Sequence, residues 1–158
     1  MRRLLASGAA VVLLAGCGSS PGGKQGVGER QWAANASGVI DQLRQDEALS
    51  SDGGTSLASA RHALRDDSDL YALVLAYSDF GGCRSMVDNA GATTLRFRRV
   101  LDTLDEACVR LERAAALFTR SAARNDPEAL IAASKEAQRA WPLLDRARLQ
   151  LALTGRQR

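Results

Sequence analysis

Aromatic residues make up only 4% of this 158-residue chain, and β-branched residues are few. Ala, Leu and Arg dominate instead, so the chain is short of sheet formers and rich in helix formers. Histidine occurs once, at His62, so a zinc site or a Ser-His-Asp triad would have to be built on that residue. Ser59 stands three positions before it, so the Glu-x-x-His pattern of di-iron bundles is missing, as is any C-x-x-C-H for haem. No apolar run reaches the roughly 20 residues that a membrane span needs. Lysine is confined to Lys24 and Lys135, leaving nineteen of the 21 basic residues as arginine. That bias reads as codon usage rather than as a phosphate-binding design. Gly53–Gly54 and Gly81–Gly82 do not form the glycine-rich loop that cradles phosphates.

Three cysteines are present, and the first lies in the most informative stretch. The chain starts "MRRLLASGAAVVLLAGC": Arg2 and Arg3, a short apolar core from Leu4 to Leu14, small residues, then Cys17. Charge followed by a short apolar core is the pattern of a secretory signal rather than a span. The "LAGC" of residues 14–17 resembles the lipobox of bacterial lipoprotein precursors. The resemblance implies cleavage after Gly16 and a diacylglyceryl group on Cys17, with acylation, such as palmitate, at the new N-terminus. Two acyl chains satisfy the requirement for stable anchoring. Gly18 at the next position leaves open whether the inner or the outer membrane holds the anchor. Residues 18–29, "GSSPGGKQGVGE", then read as a flexible tether. Removing Arg2 and Arg3 lowers the formal charge from +3 to +1, which gives no charge argument for nucleic acid. "NAS" at 35–37 matches a glycosylation signal, which the bacterial source implied by the lipobox resemblance would make irrelevant.

Residues 30–153 carry helical periodicity, and 154–158 read as a polar tail. Trp32, Ala36, Val39, Ile40 and Leu43 share one helix face. A short helix carries Leu57, Ala60 and Leu64. Asp66, Asp67 and Asp69 offer N-caps for a stripe of Leu70, Leu73, Val74, Tyr77 and Phe80. They are not spaced as a calcium loop. The longest pattern runs through Leu95, Val100, Leu101, Leu104, Cys108, Leu111, Ala115 and Phe118. Asp126 and Pro127 mark the start of the last helix, whose face holds Leu130, Ala133, Ala137, Trp141, Leu144 and Leu151. Pro142 lies inside that helix and is expected to kink it. Arg98–Asp102 and Glu106–Arg110 are expected to pair on a solvated face. The fold expected is an all-α antiparallel bundle of about four main helices plus one short helix, with alanine-rich faces allowing close approach.

With Cys17 lipidated, an exported chain retains Cys83 and Cys108, which are expected to pair in an oxidising compartment. An unbroken helix over 69–89, turning directly into one from about residue 94, leaves the two cysteines about 12 Å apart along the bundle. Pairing therefore requires the helix to stop at Gly81–Gly82, with residues 83–92 running back in a looser conformation. No catalytic cluster, metal-ligand set or cofactor motif emerges. The functional reading is a non-enzymatic, lipid-anchored envelope module, bound to the membrane by its anchor and engaging an envelope protein. The alternative is a small-ligand module with a pocket near residues 71–86, using Tyr77, Phe80 and Trp141, with Tyr71 a further candidate wall. The basic cluster of residues 96–99, "RFRR", and the arginines that end the chain could touch anionic lipid headgroups beside the anchor, but ordinary surface charge is the preferred reading.

Overall fold

The computed structural model describes residues 24–51 and 54–156, with side chains from residue 28 onward. The candidate signal peptide, Cys17 and the first part of the candidate tether lie outside the described residues. Four long helices carry the fold: α1 (Lys24–Ser51), α3 (Asp67–Gly81), α5 (Arg98–Arg124) and α6 (Pro127–Arg156). Two short ones, α2 (Leu57–Ala63) and α4 (Cys83–Asn89), sit at the corners, and a 3-10 turn spans Leu95–Phe97. No strand occurs among the described residues.

The long helices pack as a ring, α1 on α3, α3 on α5, α5 on α6 and α6 on α1. Each neighbour is antiparallel. Along α1, Asp41 pairs with Arg148 and Arg44 with Asp145, while Ser50 reaches back to Ser134. The helix faces set by the sequence close this ring. Trp32, Ala36, Ile40 and Leu43 are buried from α1, and Leu130, Ala133, Ala137, Trp141, Leu144 and Leu151 from α6. Alanine fills much of the α5–α6 seam, including Ala107, Ala114, Ala137, Ala140 and Ala147, so these two helices approach closely. Asp126 caps α6 by accepting from the Glu128 and Ala129 amides at 3.0 and 3.1 Å. Asn125, at φ 50°, ends α5 in the left-handed region, which asparagine tolerates. Pro142 is accommodated inside an α6 that runs on to Arg156.

Cys83 and Cys108 are bonded, with Cα atoms 5.2 Å apart. The route to that bond differs from the one expected. Residues 83–89 are helical, not loose. Gly82, at φ −91° and ψ 2°, interrupts the helix without a left-handed turn. The left-handed glycine is Gly91, at φ 102°, just past the end of α4. The extra length comes from the other side: α5 starts at Arg98, not near residue 94. Cys83 lies seven residues, about 10 Å, below Ala90, and Cys108 ten residues, about 15 Å, below Arg98. Residues 90–97 take up the small difference that remains.

Other boundaries move too. α1 begins at Lys24, so residues 24–29 belong to a helix and not to a tether. Glu29 holds that end down, accepting from Thr94 Oγ1 at 2.9 Å and facing Arg96 at 3.5 Å. α6 likewise extends past residue 153. Leu95, expected in the core, is 86% exposed, and Phe97 takes the core position by packing on Trp32 at 5.1 Å. Val74 is 44% exposed because α3 is apolar nearly all round.

The glycine assignment is testable. Gly91→Ala places a side chain at positive φ and is expected to cost about 1–2 kcal/mol in urea unfolding. Gly82→Ala meets only carbonyl oxygens at 3.6 and 3.7 Å and is expected to change stability by under about 1 kcal/mol. For the disulfide, the intact mass should rise by two hydrogens on reduction, and Cys83→Ser should lose about 3 kcal/mol for the 25-residue separation.

Candidate functional site

The corner at residues 80–83 is built from the inside outward. Phe80 and Cys83 are fully buried, and Tyr77 nearly so. Tyr77 stacks on Phe118 with ring centres 4.5 Å apart and meets Phe80 edge-on at 5.2 Å. Phe80 in turn meets Trp141 at 5.6 Å. The three residues expected to wall a ligand pocket, Tyr77, Phe80 and Trp141, are therefore brought together, but they fill one another's space as core. Tyr71 stands away from them on the outer face of α3, 65% exposed. Burial beside the ring stack pushes the Tyr77 hydroxyl up to about 12, so it stays protonated.

That hydroxyl begins a buried polar thread across the bundle. Tyr77 donates to Ser134 Oγ at 3.4 Å, and Ser134 donates to the Ser50 carbonyl at 3.4 Å. The thread joins α3, α6 and the end of α1. Gly54 lies against it so tightly that a Cβ there would stand 1.7 Å from Ser134 Oγ. A second buried polar group bridges α5 and α6. Glu136 meets Arg139 at 2.6 Å and Arg110 at 3.6 Å. Arg110 thus reaches across to α6 and does not pair with Glu106 as the i,i+4 spacing suggested. Among the described residues Arg98 and Asp102 form no ion pair with each other either.

Two carboxylates face each other between α1 and α3, which no linear spacing signals. Asp46 is 5% exposed, and its Oδ2 has no hydrogen-bond partner among the described residues. Asp79 lies beside it and accepts from Gln42 Nε2 at 2.9 Å. Burial, and then the neighbouring Asp79 charge, push the Asp46 carboxyl up to about 6. A proton on Asp46 turns repulsion into a hydrogen bond to Asp79.

His62 is solvent-facing, as expected from its position off the apolar stripe. It lines a cavity of about 240 Å³ between the end of α1, α2 and the start of α3, with Ser59, Asp69, Leu49 and Leu73. Its Nε2 lies 3.8 Å from Asp69. Serine, histidine and aspartate thus meet in one place, but Ser59 is already committed. Its hydroxyl accepts from the Ser56 amide at 3.0 Å and donates to the Ser56 carbonyl at 3.0 Å, closing a capping box. Asp66, next to this cavity, caps α3 through the Ser68 and Asp69 amides. No cluster of three metal-ligating side chains occurs among the described residues.

Comparison of the chain with known protein families, with curated proteins and with solved structures gave no match.

The Asp46–Asp79 pair gives a pH signature. The folded-state value of Asp46 lies above its ordinary 3.8, so between about 4 and 6 the folded protein binds more protons than the unfolded chain. The contribution of this group to stability is present below that window and falls as pH rises through it, by roughly 2–3 kcal/mol. Asp46→Asn should remove that slope and raise the urea midpoint at neutral pH. A variant with an unchanged pH profile would show that the two carboxyls do not share a proton.

Proposed function

We propose that the chain is an exported, lipid-anchored helical module of the bacterial cell envelope, and that it works by non-enzymatic interaction with an envelope protein. One observation carries the reading: Arg2–Arg3, the short apolar core and "LAGC" stand in lipobox order ahead of Cys17. Acylated Cys17 holds the module at a membrane, inner or outer, with its domain outside the cytoplasm. The Cys83–Cys108 bond is consistent with that location, since disulfides persist where the medium is oxidising. Among the described residues no helix is long and apolar enough to cross a membrane.

An interaction role, rather than a ligand pocket, is favoured by where the apolar side chains went. The aromatic candidates are packed into the core, while Tyr71, Val74 and Leu75 on α3 are 65%, 44% and 47% exposed, three and four residues apart. Ser59 is held by its cap, and the reading includes no catalytic residue and no cofactor.

Expression of the full chain in a bacterial host tests the lipid anchor. The wild-type protein should fractionate with membranes and carry diacylglyceryl on an N-terminal Cys17, and globomycin should accumulate its precursor. Cys17→Ala should abolish lipidation and release the domain in soluble form or leave it uncleaved. Processing that ignores globomycin, or acylation absent from the mature N-terminus, would sink the reading.

A further inference from the structure

The bundle has two ends, and they differ in chemistry. At one end three segments converge: the start of α1, the 3-10 turn Leu95–Phe97 and the last turn of α6. Thr94 donates to Glu29, Arg96 Nη2 donates to the Thr154 carbonyl at 2.5 Å, and Phe97 packs on Trp32. Leu95 is thereby held between two anchored neighbours, yet its own side chain is 86% exposed, the most exposed large apolar residue described. Leu153, one turn before the end of α6, is 53% exposed. Arg98, Arg99 and Arg156 stand exposed at the same end and make no ion pair among the described residues. Glu29 is matched by Arg96, while Asp102 and Asp105 line the hollow beside Leu95 and Arg98, one and two turns further along α5 from the end.

The return of the chain inside the disulfide-closed loop brings Leu95 to the surface, and Arg156 in the last turn of α6 suits the helix dipole, but the folding of the bundle does not call for arginines at the start of α5. α5 begins with Arg98 and Arg99, has no acidic residue in its first turn and no side-chain cap. Positive charge at a helix start opposes the helix dipole, and each such charge weakens the helix. At the other end, α3 and α6 start with Asp66, Asp67 and Asp69, and with Asp126 and Glu128, as helix electrostatics prefer. Among these helix starts the local rule is kept by α3 and α6 and broken by α5, which is the pattern expected of a surface under a second demand.

The chain itself says what lies against that end. Only residues 18–23 separate Cys17 from the first residue of α1, and fully extended they reach about 25 Å. With Cys17 lipidated, the end carrying Leu95 is the one kept beside the bilayer. We propose that this end is a lipid-docking face: Leu95 and Leu153 enter the interface of an anionic bilayer, and Arg98, Arg99 and Arg156 meet its phosphates. The occupant is the membrane that holds the anchor, and the docking fixes the orientation of the domain on it. The proposal rests on the lipid-anchored reading, and it adds contacts made by the domain itself.

Those contacts are testable without the lipid. The chain from residue 17 onward contains every described residue; made as Cys17→Ser it can be sedimented with vesicles of phosphatidylcholine alone or mixed with phosphatidylglycerol. Binding to the anionic vesicles is expected, with much less to the neutral ones. An arginine at an anionic surface is worth about fivefold in partitioning, so Arg98→Gln/Arg99→Gln should weaken binding about 25-fold. Leu95→Ser should weaken it about tenfold, through the lost apolar insertion. Arg120→Gln/Arg124→Gln, with the same charge change near the opposite end, should leave it unchanged. Helical content by circular dichroism checks that each variant is folded. Equal losses for both arginine pairs, or no binding to anionic vesicles, would overturn the proposal. So would a concentration-dependent dimer that Leu95→Ser abolishes, since the face would then bind a second copy. None of these outcomes bears on acylation of Cys17, which is decided separately by mass and globomycin sensitivity.

Discussion

The covalent bond between Cys83 and Cys108 fixes how α3 and α4 sit along α5, and the other contacts of that seam follow from this register. Once the two Cα atoms are 5.2 Å apart, Tyr77 lies opposite Phe118 and Arg84 opposite Glu112. A shift of one helical turn would move each of these by about 5.4 Å and separate the rings. The crosslink also determines what the chain may do between its ends. Residues 84–107 must turn around within the loop it closes, and they do so through α4, a glycine at positive φ and a 3-10 turn. The late start of α5 and the exposed position of Leu95 are both consequences of that return.

Around this register the bundle buries polar groups in two different ways. The thread from Tyr77 through Ser134 to Ser50 is satisfied: each hydroxyl has a partner, and three helices are tied together beside the aromatic cluster. The Asp46–Asp79 pair is satisfied only with a proton present. Apolar side chains at these two positions would avoid that dependence. Gln42 donates to Asp79, so the corner between α1 and α3 is a polar junction of three side chains.

Much of this was legible in the residues, wherever the signal was local. Asp126 before Pro127 located a helix start, and the faces of α1 and α6 could be read from apolar spacing because each has one wet side. The break expected at Gly81–Gly82 followed from the cysteine positions together with an assumed helix start near residue 94, and the later start at Arg98 supplies most of the length that the break was expected to supply. The form of the break did not, because a glycine pair signals permission to leave the helix and not the conformation adopted. The helical start at Lys24 was illegible for a related reason. A glycine-rich stretch reads as coil, whereas here Glu29 is pinned by Thr94 and Arg96 from far along the chain. Asp46 and Asp79, like Arg110 and Glu136, are paired by tertiary structure, and no spacing within one helix announces them. Leu95 and Phe97 exchanged roles because the 3-10 turn shifts the helical phase by a fraction of a turn just before α5 begins.

The distribution of charge along the bundle follows from topology more than from composition. In an up-down-up-down ring, helix starts alternate between the two ends, so carboxylates used as caps should appear equally at both. They do not: α3 and α6 start among aspartates at one end, while α5 starts among arginines at the other. The near-neutral total therefore conceals an asymmetry in how the helix starts are charged, although Arg61 and Arg124 at the ends of α2 and α5 bring positive charge to the acidic end as well. A net charge close to zero argues against binding to a polyanion in solution, but it does not argue against an oriented contact, since opposed patches farther apart than the screening length of about 8 Å act independently. On a bundle whose longest helix spans about 45 Å, one end can meet an anionic surface while the other end stays clear of it.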